Sequence, residues 1–298
     1  MVQKMKQDMN HKSKGYFEGL YLKHTSRSQT LALIPSVHID KNGNRTASLQ
    51  IITDTGSWQR SFQNLDMHSN RDAFYISMGD CTFTQHGLRV RIEDQDLTLS
   101  GRLLYGPPAH LKYDIMGPFR WLPAMQCRHM IYSMLHRVNG TLTLNGKDYI
   151  FRGSTGYIEG DRGCSFPEKY LWTQYNNNRI SIFMAAASIP VCKKEFNGCI
   201  ACIWHKGKEL RLATYLGARI TYADSRKIVL RQKDVLLSAE LLNGQPMAHP
   251  LLAPECGGMK RWIKEKPACR VRYQLRQGDT VLFDIKTDKG SFEGEWLK

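Results

Sequence analysis

The chain has no apolar run long enough to cross a bilayer as a helix, which takes about eighteen consecutive residues. Its opening, Met1 to Lys14, has no apolar signal core. These absences speak against a helical membrane span and against export. Zinc-finger ligand spacing, an RNP-like aromatic motif and a basic helix are also missing, so nucleic acid is not an expected partner. No long segment carries a 3.6-residue apolar period, which leaves little basis for a helical fold. Acidic residues are the scarcer charge, 27 against 42 Lys and Arg, for a formal balance of +15. The excess is spread along the chain, and it suits an anionic membrane surface or an acidic ligand.

Cysteine is present eight times, at 81, 127, 164, 192, 199, 202, 256 and 269. With no signal core ahead of them, they suggest reduced thiols in a cytoplasmic protein. Cys199 and Cys202 form a C-x-x-C, but no second ligand pair stands at zinc spacing and the run around them alternates. They read as buried strand residues, and no metal is expected.

What the chain does contain is short alternating runs separated by turn residues. They include Tyr16 to His24, Leu31 to Ile39, Phe74 to Met78, Leu88 to Ile92, a hairpin from Thr141 to Phe151 turning at Asn145-Gly146, and Thr280 to Thr287. This is an all-β pattern. Roughly twenty short strands are too many for one barrel, so two packed barrels or sandwiches are expected. A Pro- and Gly-rich patch, Tyr105 to Pro108 and Gly117 to Pro123, suggests the join, dividing the chain into 12–124 and 125–298. Leu20-Tyr21 leading to Ile34-Pro35-Ser36-Val37 is echoed by Trp172-Thr173 leading to Ile189-Pro190-Val191, which fits duplicated halves.

The densest cluster of ionisable groups beside aromatics runs from Gly153 to Asn176. Glycines at 153, 156, 160 and 163 suggest a charged loop. That loop would feed an aromatic strand, Lys169 to Tyr175. Read alone, Asp161 and Arg162 could equally be a solvated surface pair.

The same residues carry a resemblance. Tyr16-Phe17-Glu18-Gly19-Leu20-Tyr21-Leu22-Lys23 resembles the F/Y-F-E-G-W-Y-F-K opening of the tocopherol cyclase family, with Leu20 in place of its tryptophan. Gly156-Tyr157-Ile158-Glu159, Gly163, Phe166-Pro167, Lys169, Trp172, Gln174 and Asn176 are similar to its second hallmark at the same spacing. Gly117-Pro118-Phe119, Met125-Gln126-Cys127 with His129, and Gly294-Glu295-Trp296 extend the likeness over nearly the whole chain. Gly160 and Arg162 depart from a lysine and a tryptophan of bacterial relatives, which points away from tocopherol itself as substrate.

The resemblance implies two lipocalin-like antiparallel barrels in tandem. It also implies an acid-initiated ring closure on a hydrophobic, prenylated phenol or similar amphiphile, with no cofactor. Such chemistry needs a protonated acid in an apolar cavity, aromatic faces and an acceptor for the phenol proton. Glu159, beside Tyr157, Phe166 and Trp172, is the first candidate for the acid, with desolvation raising its pKa. Asp161 is the second. Tyr21, Tyr157 and Trp172 would line the cavity, or simply fill the core. Glu18 either faces the substrate or is a buried carboxylate paired with Lys23 or Lys169. His129 and His136, seven apart, would point to opposite faces, so one of them, His129 at a motif position, could carry a proton. The alternative is a non-catalytic carrier that keeps the cavity and has lost the acid. Nothing specifies an oligomer.

Overall fold

The computed structural model describes residues 15–63, 65–122, 125–191, 194–244 and 246–296. The N-terminal arm, Cys192 and residue 124, where the sequence suggests the join, lie outside them. Among the described residues there are strands and two short 3₁₀ turns, and no α-helix.

The first sheet contains β1 (Tyr16–Thr25), β2 (Thr30–Ile39), β3 (Arg45–Thr53), β4 (Ser57–Phe62), β5 (Asp66–Ser69) and β6 (Phe74–Met78). It continues with β7 (Cys81–Thr84), β8 (Gly87–Glu93), β9 (Thr98–Tyr105), β10 (Cys127–Leu144) and β11 (Lys147–Gly163). The second contains β12 (Tyr170–Asn176), β13 (Ile180–Val191), β14 (Lys194–His205), β15 (Lys208–Ala213) and β16 (Arg219–Asp224). Its remaining strands are β17 (Lys227–Gln232), β18 (Val235–Leu241), β19 (His249–Glu255), β20 (Gly258–Gln277) and β21 (Thr280–Glu295).

The strand orders are β4-β3-β2-β1-β11-β10-β9-β8-β7-β6-β5 and β15-β14-β13-β12-β21-β20-β18-β17-β16, with β19 paired to β20. In each sheet the opening strand lies between the second strand and the last. The echoed segments are β1 with β2 and β12 with β13, the corresponding strands of the two sheets. The architecture is all-β, two curled antiparallel sheets of lipocalin-like plan.

Alternation explains the layering. On β1, Leu20 and Leu22 point into the first core with Ile51, Phe83 and Leu142. Tyr21 points the other way, into a third cluster shared with Ile131, Tyr157, Tyr170, Trp172 and Phe183. That third cluster is the seam between the sheets. The second sheet has its own core around Ile182, Leu230, Val271 and Tyr273. Cys199 belongs to this core and Cys202 to the seam, so the C-x-x-C thiols point to opposite faces.

Two features differ from the sequence reading. The chain changes sheets between Gly163 and Tyr170, later than the Pro- and Gly-rich patch, because β10 and β11 pair with β9 and β1 in the first sheet. The patch is a long excursion between neighbouring strands β9 and β10 that reaches the second sheet. Buried Arg211 donates to the carbonyls of Tyr113 and Asp114, and Glu209 accepts from the Lys112 N–H.

The stretch from Gly153 to Gly163 is the second half of β11 and not a loop. Its glycines at 156 and 160 serve close packing. A Cβ on Gly156 would lie 2.1 Å from His136 Nε2, and one on Gly160 would lie 2.6 Å from a Leu20 methyl. The expected hairpin at Asn145-Gly146 is present, with both residues in the left-handed region that a two-residue turn requires.

Candidate active site

A cavity of about 220 Å³ lies in the seam between the sheets. Phe17, Ile34, Phe119, Phe166, Trp172 and Ile200 supply much of its apolar wall. Four carboxyls face it: Glu159 and Asp161 from β11, Glu265 from β20 and Glu293 from β21.

Alternation on β11 sends Tyr157, Glu159 and Asp161 to the seam and Ile158 to the first core. The Tyr157 hydroxyl donates to Glu159 Oε2 at 2.6 Å, and the Trp172 indole N–H donates to the same oxygen at 3.1 Å. His129, from β10, stands between the two carboxylates. Its Nδ1 is 3.0 Å from Asp161 Oδ1. Its Nε2 is 3.3 Å from Glu159 Oε2, at ion-pair distance but without hydrogen-bond alignment. The ring stacks on Phe183 at 4.7 Å.

Burial alone would lower the imidazole, but the charges of Asp161 and Glu159 outweigh it and hold His129 up at about 10. The imidazole is therefore a cation at neutral pH, held between the Asp161 and Glu159 side chains. Glu159 Oε2 accepts from two donors and faces the imidazolium. The sequence reading puts an acid at this position, where a carboxylate oxygen accepts two hydrogen bonds.

His129, Glu159 and Asp161 also place ligand-type atoms within 4.8 Å of one another. The imidazole turns a different nitrogen to each carboxylate, so the three donors do not converge on one point as a metal's ligands do.

The second carboxyl pair had no motif to announce it. Glu265 precedes Lys266 of β20, which pairs with Phe292 of β21, the residue before Glu293, so the two carboxyls come from neighbouring strands and the charge of Glu265 acts on Glu293. The Tyr21 hydroxyl donates to Glu265 Oε1 at 2.6 Å, and the Tyr170 hydroxyl donates to Glu293 Oε1. Burial raises the Glu265 carboxyl, against the lowering effects of the Tyr21 hydrogen bond and Lys23. Burial and then the neighbouring charge of Glu265 raise Glu293. Trp172 connects the two groups, its N–H on Glu159 and its ring edge-to-face with Tyr21 at 5.4 Å.

Part of the roof is the β19–β20 hairpin, which crosses from the second sheet to the first. Leu251 and Ile263 point inward from it. Gln50 of β3 holds it by both amide atoms, accepting from the Leu252 N–H at 2.8 Å and donating to the Leu252 carbonyl at 2.9 Å. The sequence reading passed over β19. The signal was Cys256-Gly257, whose paired left-handed residues make the tight turn.

Of the residues singled out from sequence, Glu159, Asp161, Tyr21, His129 and Trp172 line the cavity, and Tyr157 supports Glu159 from behind. Glu18 does not reach it: it accepts from Ser69 and Tyr16. Nor does it pair with Lys23, whose Nζ bonds Gln174, Ser291 and the Lys289 carbonyl. Lys169 is partly exposed and pairs with Glu195 at 3.2 Å. His136 lies against Tyr105 and beneath Gly156, away from His129.

No family model matches the chain, and no curated protein matches it. Among solved structures it is similar to CghA with Sch210972, with a TM-score of 0.61 and 10% identity over 95% of this chain and 89% of that one. It is similar to kievitone hydratase from Nectria haematococca, TM-score 0.51 and 10% identity over 95% and 90%. A putative ATTH from Nitrosomonas europaea gives 0.50 and 12% over 94% and 93%. At these identities the likeness establishes the shared fold, two lipocalin-like sheets in tandem across nearly the whole chain.

Proposed function

We propose that the seam cavity is the active site of a cofactor-independent cyclase of tocopherol cyclase-like type, acting on a hydrophobic phenol with a prenyl side chain. The observation that carries this reading is the pair Glu265 and Glu293. These are two carboxyls on neighbouring strands, Glu265 buried and Glu293 half-buried, each accepting from a tyrosine hydroxyl, neither in an ion pair with a described residue, and both open to an apolar cavity. Burial and the neighbouring like charge resist double ionisation, so the pair keeps a proton at neutral pH.

That proton is transferred to the less substituted carbon of the alkene, leaving a tertiary cation. A lone pair of the phenol oxygen closes the ring by forming the C–O bond. The phenol proton leaves to Asp161, which with a side chain 24% exposed exchanges it with water. The carboxyl pair regains its proton from solvent, and the net change is an isomerisation. Trp172 and Tyr21 present ring faces to the developing charge. Glu159 and Asp161 thus act as electrostatic and accepting groups, and the donor role belongs to the second pair. Kievitone hydratase and CghA with Sch210972 are consistent company for such a pocket, without specifying this substrate.

The test is turnover of prenylated hydroquinols in D₂O, followed by mass spectrometry. A chromanol carrying one deuterium at the former alkene is expected. Glu265→Gln or Glu293→Gln should lower the rate by about 10²–10⁴-fold. Full activity in both variants overturns the assignment. Bound but unconverted hydroquinol in the unmutated protein indicates a carrier instead.

A further inference from the structure

The cavity's charge is at odds with the chain that encloses it. In a protein with 42 Lys and Arg against 27 Asp and Glu, the described residues of the wall include four carboxyls and neither lysine nor arginine. Its cation, the His129 imidazolium, is committed to Asp161 and Glu159. Two cations on this side of the seam, Lys23 and Arg261, are also engaged elsewhere. Lys23 Nζ bonds Ser291 at 2.6 Å, Gln174 at 3.1 Å and the Lys289 carbonyl at 3.2 Å. Arg261 donates to the carbonyls of Pro167 and Glu168, with its guanidinium 5.7 Å from the Tyr170 ring centre. Glu265 and Glu293 thus share a water-poor wall that is one positive charge short.

The surrounding side chains suit a cation that brings apolar bulk. Tyr21 and Trp172 pack edge-to-face at 5.4 Å, and Phe166 and Tyr170 at 6.0 Å, so aromatic faces flank the carboxyl pair. A positive centre there would have carboxylates on one side and ring faces on the other. An acid group in the same place would meet like charge with no basic side chain to answer it, and in a desolvated site that repulsion is strong.

We infer that this cavity takes a hydrophobic ligand with a positive centre and no acid group, the positive centre seated at Glu265 and Glu293. The inference rests on the seam cavity being the ligand site, as proposed above, but not on ring closure. Two sources give the same chemistry: an amphiphile that arrives as an ammonium, or a neutral alkene that becomes a tertiary cation in place.

Three probes of equal chain length separate charge from bulk: N,N-dimethyldodecylamine, 1-dodecanol and dodecanoate, each below its micelle concentration. Affinity is read by calorimetry at pH 7 in two buffers of different ionisation enthalpy. The amine is expected to bind at least ~10-fold tighter than dodecanol, and dodecanoate at least ~10-fold weaker than dodecanol. Proton release should accompany the amine, because its charge ionises the carboxyl pair. In the Glu265→Gln/Glu293→Gln double variant the amine preference and the proton release should vanish while dodecanol still binds, which shows the cavity intact. If dodecanol no longer binds the double variant, Glu293→Gln alone should lose most of the amine preference. Dodecanoate binding as tightly as the amine, or an amine preference unchanged by these variants, overturns the inference.

A neutral trisubstituted alkene of the same length, incubated in D₂O, distinguishes the sources. Deuterium uptake marks a cation formed in place; none, with tight amine binding, marks a ligand that arrives charged. An amine preference without hydroquinol turnover would keep this inference and end the cyclase reading.

Discussion

Lys23 allows the physical account of the seam to be tested by stability alone. Its side chain is fully buried, and its Nζ reaches from β1 to Gln174 of β12 and to β21, joining the sheets. Burial lowers the ammonium from 10.5 to about 8, only partly offset by Cys269 and Glu265. At 1.36 kcal/mol per pK unit, holding the charge in the fold costs about 3 kcal/mol at pH 7. The folded state binds this proton more weakly than the unfolded chain does. Between about pH 8 and 10.5 the unfolded chain therefore carries more of it, and stability rises with pH. By pH 9.5 about 2 kcal/mol of the cost is recovered.

Lys23→Met removes the titration and leaves the Gln174 and Lys289 oxygens without this donor, so its net effect at pH 7 is small, about 1 kcal/mol either way. The informative quantity is the difference between the unmutated protein and the variant, measured by urea unfolding at pH 7 and pH 9.5, in which other titrations cancel. It should move by about 2 kcal/mol in favour of the unmutated protein at the higher pH. A difference that stays flat, or moves the other way, refutes the description of Lys23 as a charged group held without a carboxylate partner.

The first core carries an acid-sensitive counterpart. Burial lowers both His24 and His136 to about 3, so their contribution to stability is complete above about pH 6.5 and is lost as pH falls toward 3. His136→Gln should reduce the slope of stability against pH between 6 and 4 by up to about 1.4 kcal/mol per pH unit, read by denaturant titration. Gln50→Ala removes both bonds that tie Leu252 of the roof hairpin to β3. Amide exchange at Leu251, Leu252 and Ala253 should accelerate by roughly tenfold or more while the second core stays protected. Unchanged exchange there would mean that the remaining hydrogen bonds, such as Ser57 to the Pro250 carbonyl, and the apolar contacts hold the hairpin without Gln50.

The sequence alone determined the class of fold. Alternation with period two and turn pairs such as Asn145-Gly146 are local signals, and they specify strands and hairpins wherever they occur. The same local character made Gly153 to Gly163 resemble a loop, because a glycine needed for a turn and a glycine needed beneath His136 look alike in one dimension. Glu159, His129 and Trp172 were legible through the spacing they share with a known motif, and Asp161 through its place in the same charged cluster. Glu265 and Glu293 were not. Each sits in an ordinary alternating strand, at positions where a solvated carboxylate is the common outcome. Only tertiary structure decided otherwise, by bringing β20 and β21 together and folding the first sheet over them. Residues distant in sequence then removed water from both carboxyls at once, and a carboxyl's proton affinity is set by what surrounds it in space.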